Sequence, residues 1–234
     1  MKHRYIIAAT ICLLTCALGT TVVHGVPKEV SAHFLSGRDD WSTVFIALSI
    51  MSYGTQVYTL STLKRLLVDD LDVFGINGYI NVSLIISLVM TIFTAMMIRD
   101  PMQIVLKPMS WMGLHFTCGV SGAVTLMIGL SLLRNPLVAW PQLRLFSASM
   151  ILASIPAFLM STVPFLMMAN TPDRLKISVK EYIQVLSKVL SEYHYAIVFE
   201  SFRALSMLTT VALALVFIRA AQSSGPRSAS HLEC

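Results

Sequence analysis

The chain has 234 residues and a net charge of +5; 56% of the residues are hydrophobic and 12% charged, and the mean hydropathy is +0.73. A soluble globule carries about 25% charged residues, so this composition argues against a domain that must cover its whole surface with water-facing groups. The 17 Lys and Arg are scattered through the chain without a basic run interleaved with aromatics, which argues against nucleic acid as a partner and leaves a lipid bilayer as the natural one.

A formal charge is the costliest group to place in hydrocarbon. The stretches free of Asp, Glu, Lys and Arg therefore mark candidate spans: residues 5–27, 41–63, 73–98, 108–133, 145–172 and 204–218. The first five are 23 to 28 residues long, against the roughly 20 needed to cross the hydrocarbon core. The sixth has 15 and becomes long enough only by starting near Tyr195.

The first run follows Lys2, His3 and Arg4 and leads into Gly19-Thr20-Thr21. That is the layout of a signal segment, so residues 1–25 read as a signal anchor or a cleaved signal peptide; an apolar part longer than the usual ~7–15 residues favours the anchor. The loop after the second run carries Asp69, Asp70 and Asp72. It lacks the alternate-position ligands and the closing Glu of an EF-hand and reads as a solvated acidic turn. Eight Lys and Arg fall on each side when the spans alternate, so positive charge sets no orientation, although the basic start favours a cytosolic N-terminus.

In the fourth run His115, Cys118, Gly122, Thr125 and Gly129 step by three or four, with Gly119 beside them. In the fifth, Ser147, Ser154 and Ser161 recur every seven residues. Small and hydroxyl residues let membrane helices approach closely, which makes Gly119, Gly122, Gly129, Ser147, Ser154 and Ser161 candidate helix-packing positions. Pro156 and Pro164 each remove a backbone donor and free a carbonyl one turn back.

Segment 178–195 opens with the capping pair Ser178 and Glu181 and places Val179, Ile183, Leu186, Val189, Leu190 and Tyr193 at helical spacing. It reads as an amphipathic helix lying in the membrane interface. Beyond it, Glu200 and Arg203 stand three apart, and with His115 they are the candidate intramembrane polar residues. Residues 219–234 read as a disordered tail.

No H-E-x-x-H, G-x-S-x-G, Walker A or G-x-G-x-x-G pattern is present, and no residue is singled out as catalytic, metal-ligating or cofactor-binding. The expected architecture is an all-α polytopic membrane protein of about six transmembrane helices, five if the first is a cleaved signal. The helical membrane domain covers residues 41–218, with spans near 41–63, 76–98, 109–133, 145–169 and 196–218. The expected function is non-enzymatic packing with partner membrane proteins, with lipids or with further copies of the chain. The alternative is a small transporter or channel using the kinked fifth helix and the Glu200/Arg203 pair. The signal-like start points to the secretory pathway or plasma membrane.

Overall fold

The structure is a computed structural model, and it describes residues 2–25, 39–99, 108–135, 140–161, 188, 191 and 195–223. Among these residues it contains six long α-helices and no strand. They are α1 (Lys2–Gly25), α2 (Asp39–Arg65), α3 (Asn77–Arg99), α4 (Pro108–Arg134), α5 (Pro141–Ser161) and α6 (Tyr195–Ser223).

The ends follow from local chemistry. Helices α4 and α5 each begin on a proline, Pro108 and Pro141; its missing N–H is no loss at a position with no intrahelical partner. Helices α2, α3 and α4 each end on an arginine, Arg65, Arg99 and Arg134, where a cation meets the negative end of the helix dipole. Arg99 and Arg134 also close the third and fourth charge-free runs, and Lys64, one residue before Arg65, closes the second. A turn of π-helix, Leu66–Asp70, continues α2, and a short 3-10 turn, Phe74–Ile76, leads into α3. Between them Asp72 takes a positive φ of 54°, a left-handed conformation that Asp tolerates better than most residues.

Each helix packs beside its neighbours in the chain, and α6 closes against α1, so the six form a ring in sequence order. Alternation of direction is visible in the core. Tyr5, Ala8, Ala9 and Cys12 open α1; Leu63, Leu66 and Leu67 close α2. These join Ile76 and Ile80 at the start of α3, and Ile128 and Leu132 at the end of α4. Leu143 and Phe146 at the start of α5, with Val216 and Phe217 near the end of α6, complete one buried cluster. Starts of odd-numbered helices thus meet ends of even-numbered ones, as an up-and-down bundle requires.

That end of the bundle is also tied by polar contacts. The Tyr5 hydroxyl donates to the Asp70 carboxylate, while its ring stacks on Phe217 at 6.4 Å between centroids. Arg4 donates from Nε to Thr62 Oγ1 at 3.1 Å and lies 5.8 Å from the centre of the Tyr58 ring. Lys64 donates to Asn81 Oδ1 at 3.0 Å, and Arg65 pairs with Asp69 at 3.5 Å. The acidic turn is therefore more than a solvated loop: Asp70 anchors α1, a contact made across 65 residues of sequence that local spacing does not reveal.

Two stretches are long and apolar enough to cross a membrane, Pro141–Leu159 and Glu200–Ser223, with shorter apolar helices at Asn77–Ile92 and Gly119–Arg134, among the described residues. Helix α6 continues to Ser223, five residues past the end of the charge-free run. The expected tail is thus helical over 219–223, because Ala220 and Ala221 are buried in the core cluster and Arg, Ala and Gln are good helix formers. Apart from Lys188 and Ser191, both helical, the 178–195 segment falls largely outside the described residues, as do Pro164 and 224–234.

Tyr5 is 1% exposed, and its two roles can be separated. Tyr5→Phe removes the hydroxyl bond to a carboxylate and is expected to cost roughly 1.5–3 kcal/mol. Tyr5→Ala also removes the ring and should cost about 3–5 kcal/mol. Thermal unfolding in detergent distinguishes them; equal losses for the two variants would show that the ring contributes no packing.

Candidate functional site

The structure brings the two small-residue series of α4 and α5 face to face. A Cβ built on Gly119 would stand 3.1 Å from Cβ of Ser161, and one on Gly122 would stand 3.1 Å from Cβ of Ala157 and 3.4 Å from the Ser154 carbonyl oxygen. On Gly129 it would lie 2.8 Å from Ile151 Cγ1 and 3.0 Å from the Ser147 carbonyl oxygen. The two backbones therefore run close enough that side-chain volume is excluded, and the approach is tightest at Gly129. There the Ser147 hydroxyl donates across the interface to the Gly129 carbonyl at 2.5 Å, and Ser147 is fully buried. Only a residue without a Cβ leaves that carbonyl reachable from the facing helix.

The spacing of seven places Ser147, Ser154 and Ser161 on one stripe of α5. Ala153 and Ala157 are buried beside them, and so is Pro156. Spacing alone singles out neither these alanines nor Ser149, which is 1% exposed. Pro156 stands next to Ala157, the residue facing Gly122.

Many hydroxyls among the described residues are turned onto their own helix backbone. Ser149, Ser154 and Ser161 donate to the carbonyls of Phe146, Ile151 and Phe158. Thr10, Thr15, Thr62, Thr91, Thr209 and Thr210 donate one turn back in the same way. This local bond satisfies a hydroxyl without water or a partner helix. Ser147, Ser154 and Ser161 therefore all spend their hydroxyl protons on backbone carbonyls, and this stripe of α5 holds two helices together without presenting a donor of its own.

Glu200 and Arg203 pair with each other on α6 at 2.6 Å, and their side chains are 59% and 26% exposed. No second helix supplies their partner in that contact, so the pair neutralises itself on one helix. His115 lies in α4, but its side chain is outside the described residues. Of the polar candidates, the structure brings together Glu200 and Arg203. The residues that sequence reasoning missed are Tyr5, Arg4, Thr62 and Asp70. One signal was available: a tyrosine opening an otherwise aliphatic run is a side chain with an apolar body and a polar tip, suited to the rim of a bundle.

Among the described residues no group of three or more His, Cys, Asp and Glu is arranged to hold a metal ion. No family model, curated protein or solved structure matches the chain. The described residues form an all-α up-and-down bundle of six long helices, two of them of membrane-spanning length and apolarity.

The close approach predicts opposite signs for chemically identical substitutions. Gly129→Ala must displace Ile151 or the Ser147 backbone and should destabilise by about 1–3 kcal/mol. Gly54→Ala meets no atom within 4 Å and should be neutral or stabilising, by up to about 1 kcal/mol from helix propensity. Melting temperatures in one detergent decide it; the same sign for both would mean that α4 and α5 do not touch at Gly129.

The charge pair reports its own surroundings. In lipid, Glu200→Gln leaves Arg203 without a counter-ion and should lower the melting temperature, while Glu200→Gln combined with Arg203→Gln should recover most of the loss. In water the same pair is worth about 0–1 kcal/mol, and neither variant should move it. Unfolding in nanodiscs separates the two cases.

Proposed function

We propose that this chain is a multi-pass membrane protein in which all six helices share the bilayer and whose role is non-enzymatic: it packs with partner membrane proteins, lipids or copies of itself. The observation that carries the reading is where the large apolar side chains lie. Every helix exposes several: Ile6 and Leu14 on α1, Ile50 and Met51 on α2, Ile85 and Ile92 on α3. Phe116 on α4, Ile155 on α5, and Ile197 and Leu208 on α6 are exposed as well. A soluble monomer exposes contiguous apolar patches of only a few hundred Å²; apolar side chains around every helix of a ring match hydrocarbon as solvent.

Two further features support it. Many of the described hydroxyls, among them Ser149, Ser154, Ser161, Thr209 and Thr210, bond to their own helices, which suits surroundings without water better than the lining of a polar path. The first helix contributes Tyr5, Ala8, Ala9 and Cys12 to the core, which supports α1 as a permanent span, with anchor rather than cleaved signal as its role. The signal-like start makes the secretory pathway or plasma membrane the expected location.

Two measurements on the same membranes test this reading. The protein should resist alkaline carbonate extraction, and cysteines placed at Asp69 and Asn135 in a chain otherwise free of Cys should label from the same side of sealed vesicles. Labelling from opposite sides would remove a span. Reconstituted liposomes should show no ion flux above that of empty vesicles; flux abolished by Glu200→Gln with Arg203→Gln would replace packing with transport.

A further inference from the structure

The start of α1 and the end of α6 leave an apolar groove between them with a volume of about 300 Å³. Its walls are Lys2, Ile6, Thr10 and Leu13 from α1, facing Ile218 and Gln222 from α6. Two small buried residues, Ala9 and Ala221, line it from either helix and leave the space open. The outer side is accessible: Ile6 is 45% exposed, Leu13 46% and Ile218 38%.

Polarity along the groove is graded. Lys2 opens α1 and Gln222 lies in the last turn of α6, so these two polar lining residues stand at the same end of two antiparallel helices, while the third, Thr10, turns its hydroxyl onto the Ile6 carbonyl. Leu13, eleven residues further along α1, lies about 16 Å deeper at ~1.5 Å per residue. Lys2 has no ion-pair partner among the described residues, whereas neighbouring cations do have contacts: Arg4 binds Thr62 and covers Tyr58, Lys64 holds Asn81 and Arg65 pairs with Asp69. Arg219 is exposed one residue beyond Ile218. The surrounding end of the bundle carries Lys2, Arg4, Lys64, Arg65, Arg134, Arg144 and Arg219 against Asp69, Asp70 and Asp72, an excess of positive charge that favours an anion.

We propose that this groove is a binding site for an anionic phospholipid, with an acyl chain along Ile6, Leu13 and Ile218 and the phosphate at Lys2 and Gln222. The proposal rests on the membrane reading above and names which lipid chemistry the bundle selects. The lysine and the amide are both donors suited to phosphate oxygens, and the apolar length runs from them toward the middle of the helix, as a chain runs from its headgroup. A zwitterionic lipid fills the same apolar volume but gains less from the lysine.

The test uses the full chain in neutral detergent with an equal mixture of phosphatidylglycerol and phosphatidylcholine carrying the same acyl chains, read by native mass spectrometry. Wild type should retain phosphatidylglycerol over phosphatidylcholine by roughly fivefold, the factor conferred by one lysine near anionic headgroups. Lys2→Gln should bring the two lipids to parity while lipid is still bound. Thr10→Phe, at an exposed position in the groove, should displace both lipids without lowering the melting temperature. Equal retention by wild type, or an undiminished preference in Thr10→Phe, would overturn the site. A lipid-free dimer broken by Thr10→Phe would also overturn it, by assigning the groove to a second copy of the chain. Carbonate extraction of the source membranes keeps the two levels apart. Release of the protein would defeat the membrane reading itself, whereas retention without lipid preference would defeat the site alone.

Discussion

Closure of the ring depends on Tyr5. The ring sits near the beginning of α1, stacks on Phe217 near the end of α6 and sends its hydroxyl to Asp70 in the turn between α2 and α3. Three elements far apart in sequence are thereby fixed by one side chain with an apolar body and a polar tip. Such a residue suits the end of a helical bundle, where packing gives way to polar surroundings. Arg4 extends the same joint to Thr62 and Tyr58. Without this junction α1 would retain against α6 its apolar face and the weak bond from the Cys16 thiol to the Met207 carbonyl; if the surroundings are lipid, an apolar face alone is little reason to associate, because lipid tails offer the same contact.

The opposite side of the ring uses a different device. Helices α4 and α5 approach through absent side chains. Gly129 lets the Ser147 hydroxyl reach a backbone carbonyl, and Gly122 and Gly119 keep the helices close along two further turns. Close backbone contact supplies dispersion and weak polar terms, which count most if the surroundings are lipid and burial of apolar area supplies little. The bundle thus combines a polar clasp at α1 with a small-residue seam at α4 and α5.

The helices themselves were legible in the sequence because charge marks their ends. The 41–63 run became Asp39–Arg65, 109–133 became Pro108–Arg134, and 76–98 became Asn77–Arg99. The basic residues that stop these runs, Lys64, Arg99 and Arg134, stand in the last turns of their helices and also meet the helix dipole, so two physical causes put the boundary in the same place. The small-residue series were legible as faces, since their spacing is a property of one helix. That these two series would meet was not legible: partner choice is a long-range matter that periodicity within a helix does not encode. The same holds for Asp70. A turn of three acids reads as water-loving by composition, and only the fold brings a tyrosine hydroxyl to one of them. At the far end of α6 the change from apolar to polar residues marked a boundary too early, because Ala220 and Ala221 carry the helix onward by being buried.

The central claim is that α1 belongs to the working bundle, closing the ring against α6 and α2. The most direct test is the intact mass of the chain purified from its own membranes, combined with its N-terminal sequence. The account predicts a chain that keeps Lys2–Gly25 and with it Tyr5, Ala8, Ala9 and Cys12. A stable, membrane-embedded chain that begins beyond Gly25 would contradict it, because the ring would then stand without the residue on which its closure depends.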